Sequence, residues 1–430
     1  MPERRVLKDF CVAVADGSTF AAMRFGPVLF LLFGLLMRPG LAQAQTSLAG
    51  VVQDSVTHEP LAFASVFLAN TTLGVTTTEQ GTFVFSNVPP GQYEVVGSYV
   101  GYRLAKQSIS LGNKTLSVIL RLGPTAHRLG EVVVRPNPNR ASDYQKFVEL
   151  FLGQTTFSRQ CRILNPDDVL VAFDPQTSIL TASATNYVEV ENRALGYRIK
   201  YYGLRFACHY QQHIVTFYGE PVFKELTARG PGRQRTWEAN RKEAYLGSLT
   251  HFLKSVYDDR VTANGFLVQR LRVVPNPRFA HVDSLRRQFM RARQLQVLSR
   301  AEMDTMNNWR EVPTHFSLLN TAPRPIDSLR RVSADGHRPF LRFTAYSQVS
   351  YLRAAPDARY LGLLRLRTGA LPPLPAHQVS QLLLREPEVE IQPNGQLTNP
   401  LAVFTDEYWG FEKMGEFLPV NYQPPAAPAP

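Results

Sequence analysis

Cysteine is nearly missing from this sequence. Three in 430 residues cannot form the disulfide framework that staples small secreted scaffolds. Lysine is scarce too, with nine against 38 arginines. The apolar run Val28 to Met37 is ten residues, about half of what spans a bilayer as a helix. The 31 prolines and 27 glycines follow no collagen-like or low-complexity period. Missing as well are the G-x-S-x-G elbow, the P-loop, G-x-G-x-x-G and H-E-x-x-H, so no catalytic, cofactor-binding or metal residue is expected. What is present is apolar mass: 44% hydrophobic and 19% charged residues suffice for two or three buried cores. The formal charge of +12 describes solubility and steering rather than fold or chemistry.

Residues 23–44 read MRFGPVLFLLFGLLMRPGLAQA: a basic residue, an apolar run and a small-residue A-x-A ending. That order is the secretory-signal pattern, with cleavage expected between Ala44 and Gln45. Translation from Met23 would account for residues 1–22, which have no place in the signal. No cysteine follows the run for lipid attachment, and no transmembrane span is expected in the mature chain. Export directs the protein to the periplasm or the outer membrane and disfavours nucleic acid as a partner. Cys161 and Cys208 then stand in an oxidising compartment, either paired or as buried free thiols.

Short β-branched and aromatic runs follow, at Ser47–Val52, Ala64–Ala69, Thr82–Ser86, Tyr93–Tyr99 and Thr115–Arg121. Turn residues separate them, including Thr78-Glu79-Gln80-Gly81 and Pro89-Pro90-Gly91. Such spacing predicts an antiparallel sandwich over 45–123. The blocks Gly50-Val51-Val52-Gln53-Asp54, Pro60 to Val66, Gly81-Thr82-Phe83, Val88 to Tyr93 and Tyr99-Val100-Gly101-Tyr102 together resemble the carboxypeptidase regulatory-like, prealbumin-type β-sandwich. That family is abundant in exported Bacteroidetes proteins, including N-terminal extensions of TonB-dependent receptors, and the resemblance implies no peptidase activity. Residues 124–140, with Leu129 to Arg135, read either as an edge strand running into a Pro-rich linker or as a coupling segment.

From 141 to 422 the pattern predicts a larger α+β domain with antiparallel sheet and packed helices, followed by a Pro/Ala tail at 423–430. A helix is expected over Asp143–Gly153, with Tyr144, Phe147, Val148, Phe151 and Leu152 on one face. Strands are expected at Val169–Phe173, Ile179–Ser183, Tyr187–Glu191, Tyr197–Arg205 and Ile214–Tyr218. Trp237 to Tyr257 reads as one amphipathic helix. Its Arg241, Tyr245 and His251 are candidates for a surface cleft, against the commoner reading of such residues as core. The blocks Cys161 to Pro166, Val190 to Ile199, Asn240 to Ser248 and Tyr408 to Met414 resemble an uncharacterised region found behind this sandwich in Bacteroidetes envelope proteins.

His209 and His213 stand four apart, but their aromatic and β-branched surroundings predict a strand, which would separate them by roughly 13 Å, too far to share a metal. The Arg-dense stretch Leu285 to Arg300 reads as a solvated helix face or as a patch for anionic headgroups and acidic glycans. The expected function is that of an exported envelope binding or structural protein without catalysis, with an envelope protein, a glycan or an outer-membrane receptor as partner. The alternatives are a hydrolase of envelope glycans or peptides and an accessory to TonB-linked uptake.

Overall fold

The computed structural model describes residues 47–112, 114–125, 139–212, 214–293, 299–310, 312–368 and 374–425. The signal with Ala44 and Gln45, the stretch Leu129 to Arg135, and His213 lie outside these residues. Among those described, no helix is long and apolar enough to cross a membrane.

Seven strands build the N-terminal part: β1 (Leu48–Asp54), β2 (Ser65–Leu68), β3 (Gly74–Thr76), β4 (Thr82–Phe85), β5 (Gly91–Ser98), β6 (Ala105–Leu111) and β7 (Leu116–Leu122). One sheet runs β4-β1-β7 and the other β3-β2-β5-β6. The two-residue period of a strand puts Leu48, Val52, Phe83, Phe85, Val118 and Leu120 into the shared core. All pairs are antiparallel except β1 with β7. The five expected strands are all present. β3 and β6 are additional: β3 has only three residues, and β6 buries only Ile109 and Leu111, too little for an apolar signal.

Next come α1 (Arg140–Leu152), β8 (Cys161–Ile163), β9 (Val169–Asp174), β10 (Ile179–Ala184), β11 (Tyr187–Asn192), β12 (Tyr197–His209) and β13 (Ile214–Glu225). β12 organises this sheet. It pairs with β11 along its first half, with β10 along its second, and with β13 along the opposite edge, bulging between Tyr202 and Arg205. α1 lies on the sheet through Phe147 against Phe206 (5.1 Å) and Phe151 against Tyr201 and Phe217 (5.5 and 5.2 Å). β12 and β13 run past the expected ends at Arg205 and Tyr218: the later residues of β12 continue its alternation, and β13 stays paired with it as far as Glu225.

The remainder comprises α2 (Pro231–Tyr245), α3 (Leu249–Tyr257), β14 (Phe266–Pro275), α4 (Pro277–Arg293), α5 (Arg300–Arg310), β15 (His315–Pro323), β16 (Arg330–Val332), β17 (Pro339–Leu341), β18 (Tyr346–Tyr351), α6 (Ala358–Thr368), β19 (Gln378–Leu384), β20 (Val389–Glu390), β21 (Val403–Glu407) and α7 (Tyr408–Phe411). An antiparallel sheet of order β15-β14-β18-β19-β21 is joined by a small sheet β16-β17-β20. Phe252 and Val256 of α3 pack with Phe266, Tyr351 and Trp409 in a second core.

The single helix expected over Trp237 to Tyr257 is two. Leu246 is extended (φ −69°, ψ 122°) and Gly247 takes φ +90°, a conformation open to glycine at little cost. Ser248 then caps α3 by accepting a hydrogen bond from the His251 backbone N–H at 3.1 Å. A methyl at Gly247 would stand 2.2 Å from Gln378 Oε1, so the break also admits the neighbouring strand. The Leu246-Gly247-Ser248 punctuation overrides the helical periodicity on either side of it.

The sandwich is bonded to the rest of the fold. Phe67 leaves the outer face of β2 and stacks on Tyr202 at 4.7 Å, while Ala69 and Val96 complete a separate small core with Tyr202. The Asn70 N–H donates to the Pro221 carbonyl (2.7 Å), Phe223 N–H to Thr71 O (2.9 Å) and Val420 N–H to Asn70 O (2.7 Å). Lys106 pairs with Glu220 across the same seam.

Candidate docking surface

The three residues expected to line a cleft do not come together in one. α2 lies over the β11–β12 hairpin and donates to the carbonyls of its turn. Trp237 Nε1 donates to Arg193 O (2.9 Å), Asn240 Nδ2 to Ala194 O (2.8 Å), and Arg241 Nε and Nη2 to Leu195 O (2.7 Å) and Gly196 O (3.3 Å). One helix face thus satisfies four successive carbonyls. Arg241 is 5% exposed, its guanidinium lies 4.0 Å over the Tyr197 ring, and it reaches Glu225 at 3.2 Å. It is therefore an interior clamp rather than a surface residue.

His251 is buried as well. Its Nδ1 accepts the Gly247 N–H at 3.1 Å, and its ring sits among Tyr245, Phe266 and Tyr351 at 5.1, 5.0 and 5.7 Å. Burial, reinforced by Arg353, lowers its pKa to about 4, so at neutral pH it is an uncharged acceptor that fixes the break between α2 and α3. Tyr245 is half-buried and touches Tyr422 at 6.0 Å. Aromatic residues at helical spacing gave the cleft reading, and the same residues at the same spacing build a core.

His209 ends β12 opposite Ile214, on a strand as expected. Cys161 and Cys208 are both free thiols. Burial pushes both thiols up in pKa, with Glu416 adding to the effect at Cys161, which suppresses the reactive thiolate. Among the described residues, no three His, Cys, Asp or Glu side chains gather as metal ligands.

A group of ionisable residues was not singled out from the sequence: Glu412, Lys413 and Glu416, in the segment that follows α7. Glu416 accepts from the Thr155 hydroxyl and, at 3.3 Å, from the Lys413 N–H. Lys413 Nζ donates to the Gly410 carbonyl. Gly415 packs on Ser158, and its carbonyl accepts from Asn192 Nδ2 at 2.8 Å. The segment is a wedge tying the C-terminal chain to the β12 sheet. Burial, then the neighbouring Glu416, pushes Glu412 well above the usual carboxylate range. Burial likewise raises Glu416 to about 8, against the lowering effect of its hydrogen bonds.

The feature that faces solvent lies elsewhere, on the ribbon of β14 and β15. Each of the nine residues of β15 is exposed, and β15 is the outer strand of its sheet. Its partners across β14 run from Leu271↔Leu319 to Pro275↔His315, and the register then shifts before Gln269↔Pro323. The straight edge is thus His315–Leu319, ended by an irregularity in which Gln269 Nε2 donates to Thr321 O at 2.8 Å. Alternation sets Arg272, Phe316 and Leu318 on one face of the ribbon. Phe316 is 44% and Leu318 52% exposed, and no Asp, Glu, Lys or Arg occurs anywhere in β15.

The surroundings of this edge are basic. α4 and α5 grow from the far end of the ribbon, where the Asn276 N–H donates to Thr314 O at 2.9 Å, and they meet through Phe289 and Trp309 at 5.8 Å. Asp283 pairs with Arg286 (2.7 Å) and Arg287 (3.2 Å). Arg270, Arg272, Arg278 and Arg291 are exposed and form no ion pair among the described residues. At the root of the ribbon, Arg324 donates to Ser347 Oγ (2.7 Å), Ser328 Oγ (3.2 Å) and Thr344 O (3.4 Å). None of these is a carboxylate. Burial and then the nearby Arg270 hold its pKa below the usual range. A cavity of about 160 Å³ opens beside Arg324, and no acidic residue lines it.

Comparison with known proteins concerns mainly the N-terminal part. Residues 48–134 match the family model of the CarboxypepD_reg-like domain, so this part is similar to that domain, and a larger part of sheets and helices follows it. No curated protein matches the chain. Among solved structures, the pilus 2b backbone protein of group B streptococcus is 18% identical, covering 19% of this chain and 41% of that one at a TM-score of 0.17. The major pilin subunit BcpA of Bacillus cereus is 17% identical, covering 19% and 30% at 0.17. The C-terminal domain of the shaft pilin spaA from Lactobacillus rhamnosus GG is 15% identical, covering 19% and 98% at 0.17. The chain thus spans less than half the length of the first two.

Proposed function

We propose that the protein is exported and acts without catalysis, as an envelope binding or structural protein whose docking element is the β14–β15 ribbon. The single observation that carries the docking role is an edge strand exposed at every residue and bare of charge. Natural edges are normally blunted by charge, proline or a covering element, because unpaired N–H and C=O groups recruit further strands. Here the irregularity at residues 320–322 and Pro323 protect only one end. The sandwich serves as a fixed support, since its seam with the β12 sheet contains backbone hydrogen bonds as well as the Phe67–Tyr202 stack.

Two experiments test this reading. A photo-reactive residue in place of Leu318 is expected to give a discrete cross-linked adduct in cells, and adding Phe316→Lys to the same chain should abolish that adduct. No adduct at Leu318, with adducts at an unrelated surface position such as Leu366, would remove the docking role. For export, mass spectrometry of the mature protein is expected to begin at Gln45. A cytosolic product retaining residues 23–44 would refute it.

A further inference from the structure

The docking reading leaves open what the edge receives, and the chemistry around it narrows the choice. The open backbone of His315–Leu319 offers about five residues of unpaired edge, the usual length of a strand. A globular surface presenting only side chains would leave those edge groups bonded to water. An extended segment bonds them directly, and the side chains on alternate positions then set specificity. Phe316 and Leu318 provide an apolar strip on one ribbon face. Arg270 and Arg272, without ion-pair partners among the described residues, lie on that same face of the ribbon, and the ribbon root holds Arg324 on neutral acceptors only.

We infer that β15 takes up an extended acidic segment of a partner protein, which adds as the next antiparallel or parallel strand and presents, on the one face that Phe316, Leu318, Arg270 and Arg272 share, an apolar residue over Phe316 and Leu318 and a carboxylate two residues along toward Arg270 and Arg272. This rests on the docking reading and specifies its occupant. A basic segment is disfavoured by repulsion from the same arginines, since like charges brought together at an interface suppress the wrong partner. The helices α4 and α5 reinforce the selection: Arg278 and Arg291 extend the field beyond the ribbon's end, where it steers encounter.

The test uses the full chain and two fluorescent peptides with threonine at every second position, the positions between alternating valine with glutamate in one and valine with lysine in the other, so that apolar and charged residues share one strand face. Anisotropy is expected to show binding of the acidic peptide alone, weakening several-fold as salt is raised, because exposed charges are screened. Hydrogen exchange should slow at residues 315–319 on binding, which a purely ionic contact with the arginines would not cause. Arg270→Glu with Arg272→Glu should reverse the preference toward the lysine peptide. Both arginines are exposed, so the fold is expected to survive, and circular dichroism checks that it does. A cross-link at Leu318 together with no preference for the acidic peptide overturns the acidic segment while leaving the docking role standing. Loss of both the cross-link and peptide binding removes the two together. Binding to phosphatidylglycerol vesicles that the same charge reversal abolishes, without peptide binding, overturns the proposal in favour of a membrane surface.

Discussion

Replacing Glu416 by glutamine should remove a defined part of the protein's pH dependence. In the unfolded chain a glutamate titrates near 4.5, whereas burial holds Glu416 at about 8 in the fold. Below pH 4.5 both states carry the proton and Glu416 contributes nothing to the pH dependence. Between 4.5 and 8 the unfolded state has lost the proton that the folded state keeps, so stability falls as pH rises. One proton is worth about 1.4 kcal/mol per pH unit, so from pH 6.5 to 8 the loss is roughly 1.5–2 kcal/mol, the slope easing as the folded carboxyl itself begins to ionise. Above 8 both states are ionised and the penalty stays constant. His251 opposes this at lower pH. Its folded pKa of about 4 lies below the ordinary 6.5, so it removes stability as pH falls from 6.5 to 4. The two slopes partly cancel between 4.5 and 6.5, and the Glu416 effect stands clearest above 6.5. Urea unfolding at closely spaced pH values measures it. Glu416→Gln keeps an acceptor for the Thr155 hydroxyl but presents an amide toward the Lys413 N–H, so the variant should start slightly weaker at pH 5.5. It should then become more stable than the parent by pH 8. Glu412 retains its own slope in both proteins. Parallel curves for the two proteins from pH 6.5 to 8 would refute the assignment of a half-buried, protonated Glu416.

Three further outcomes follow from the packing. Gly196→Ala places a methyl 2.3 Å from the Trp237 ring at a φ of +72°, and should cost about 2–4 kcal/mol from left-handed strain plus overpacking, read by denaturant titration. Phe67→Ala removes a buried ring from the seam between the sandwich and the β12 sheet. The expected loss is about 3–5 kcal/mol, and calorimetry should show the sandwich melting apart from the rest, where the parent melts as one. His251 should titrate near pH 4 in an NMR pH series; a midpoint near 6.5 would mean that its ring is not held as an uncharged acceptor for the Gly247 N–H.

Local signals made the sandwich legible and left its seam hidden. Turn residues at Gly81 and Pro89-Pro90-Gly91 delimit strands whose alternation needs no tertiary knowledge, and the blocks around them carried the resemblance that residues 48–134 bear out. Phe67 gave a weaker signal. In Val66-Phe67-Leu68 all three residues are buried, which breaks the in-out alternation of a strand with one solvated face and marks β2 as covered on both sides. The run shows that something covers Phe67; only the fold shows that Tyr202, 135 residues later, does so. Glu416 gave no signal, because its surroundings depend on chain that arrives from residues 155–158.

The candidate site was misplaced for a related reason. Sequence reasoning looks for chemistry among polar residues on an amphipathic helix, and α2 has them in Asn240 and Arg241. Their polarity is consumed by the carbonyls of residues 194–196, a demand that exists only once the β11–β12 hairpin has formed. β15 was passed over for the opposite reason. HFSLLNTAP has no motif and no charge, and such a run ordinarily reads as a strand paired on both sides. Its position at the end of the order β15-β14-β18-β19-β21 turns that absence of charge into information. Had β15 been central, its lack of charge would be ordinary burial. At an edge, flanked by arginines that have no acid to meet, it describes the strand that is to be added.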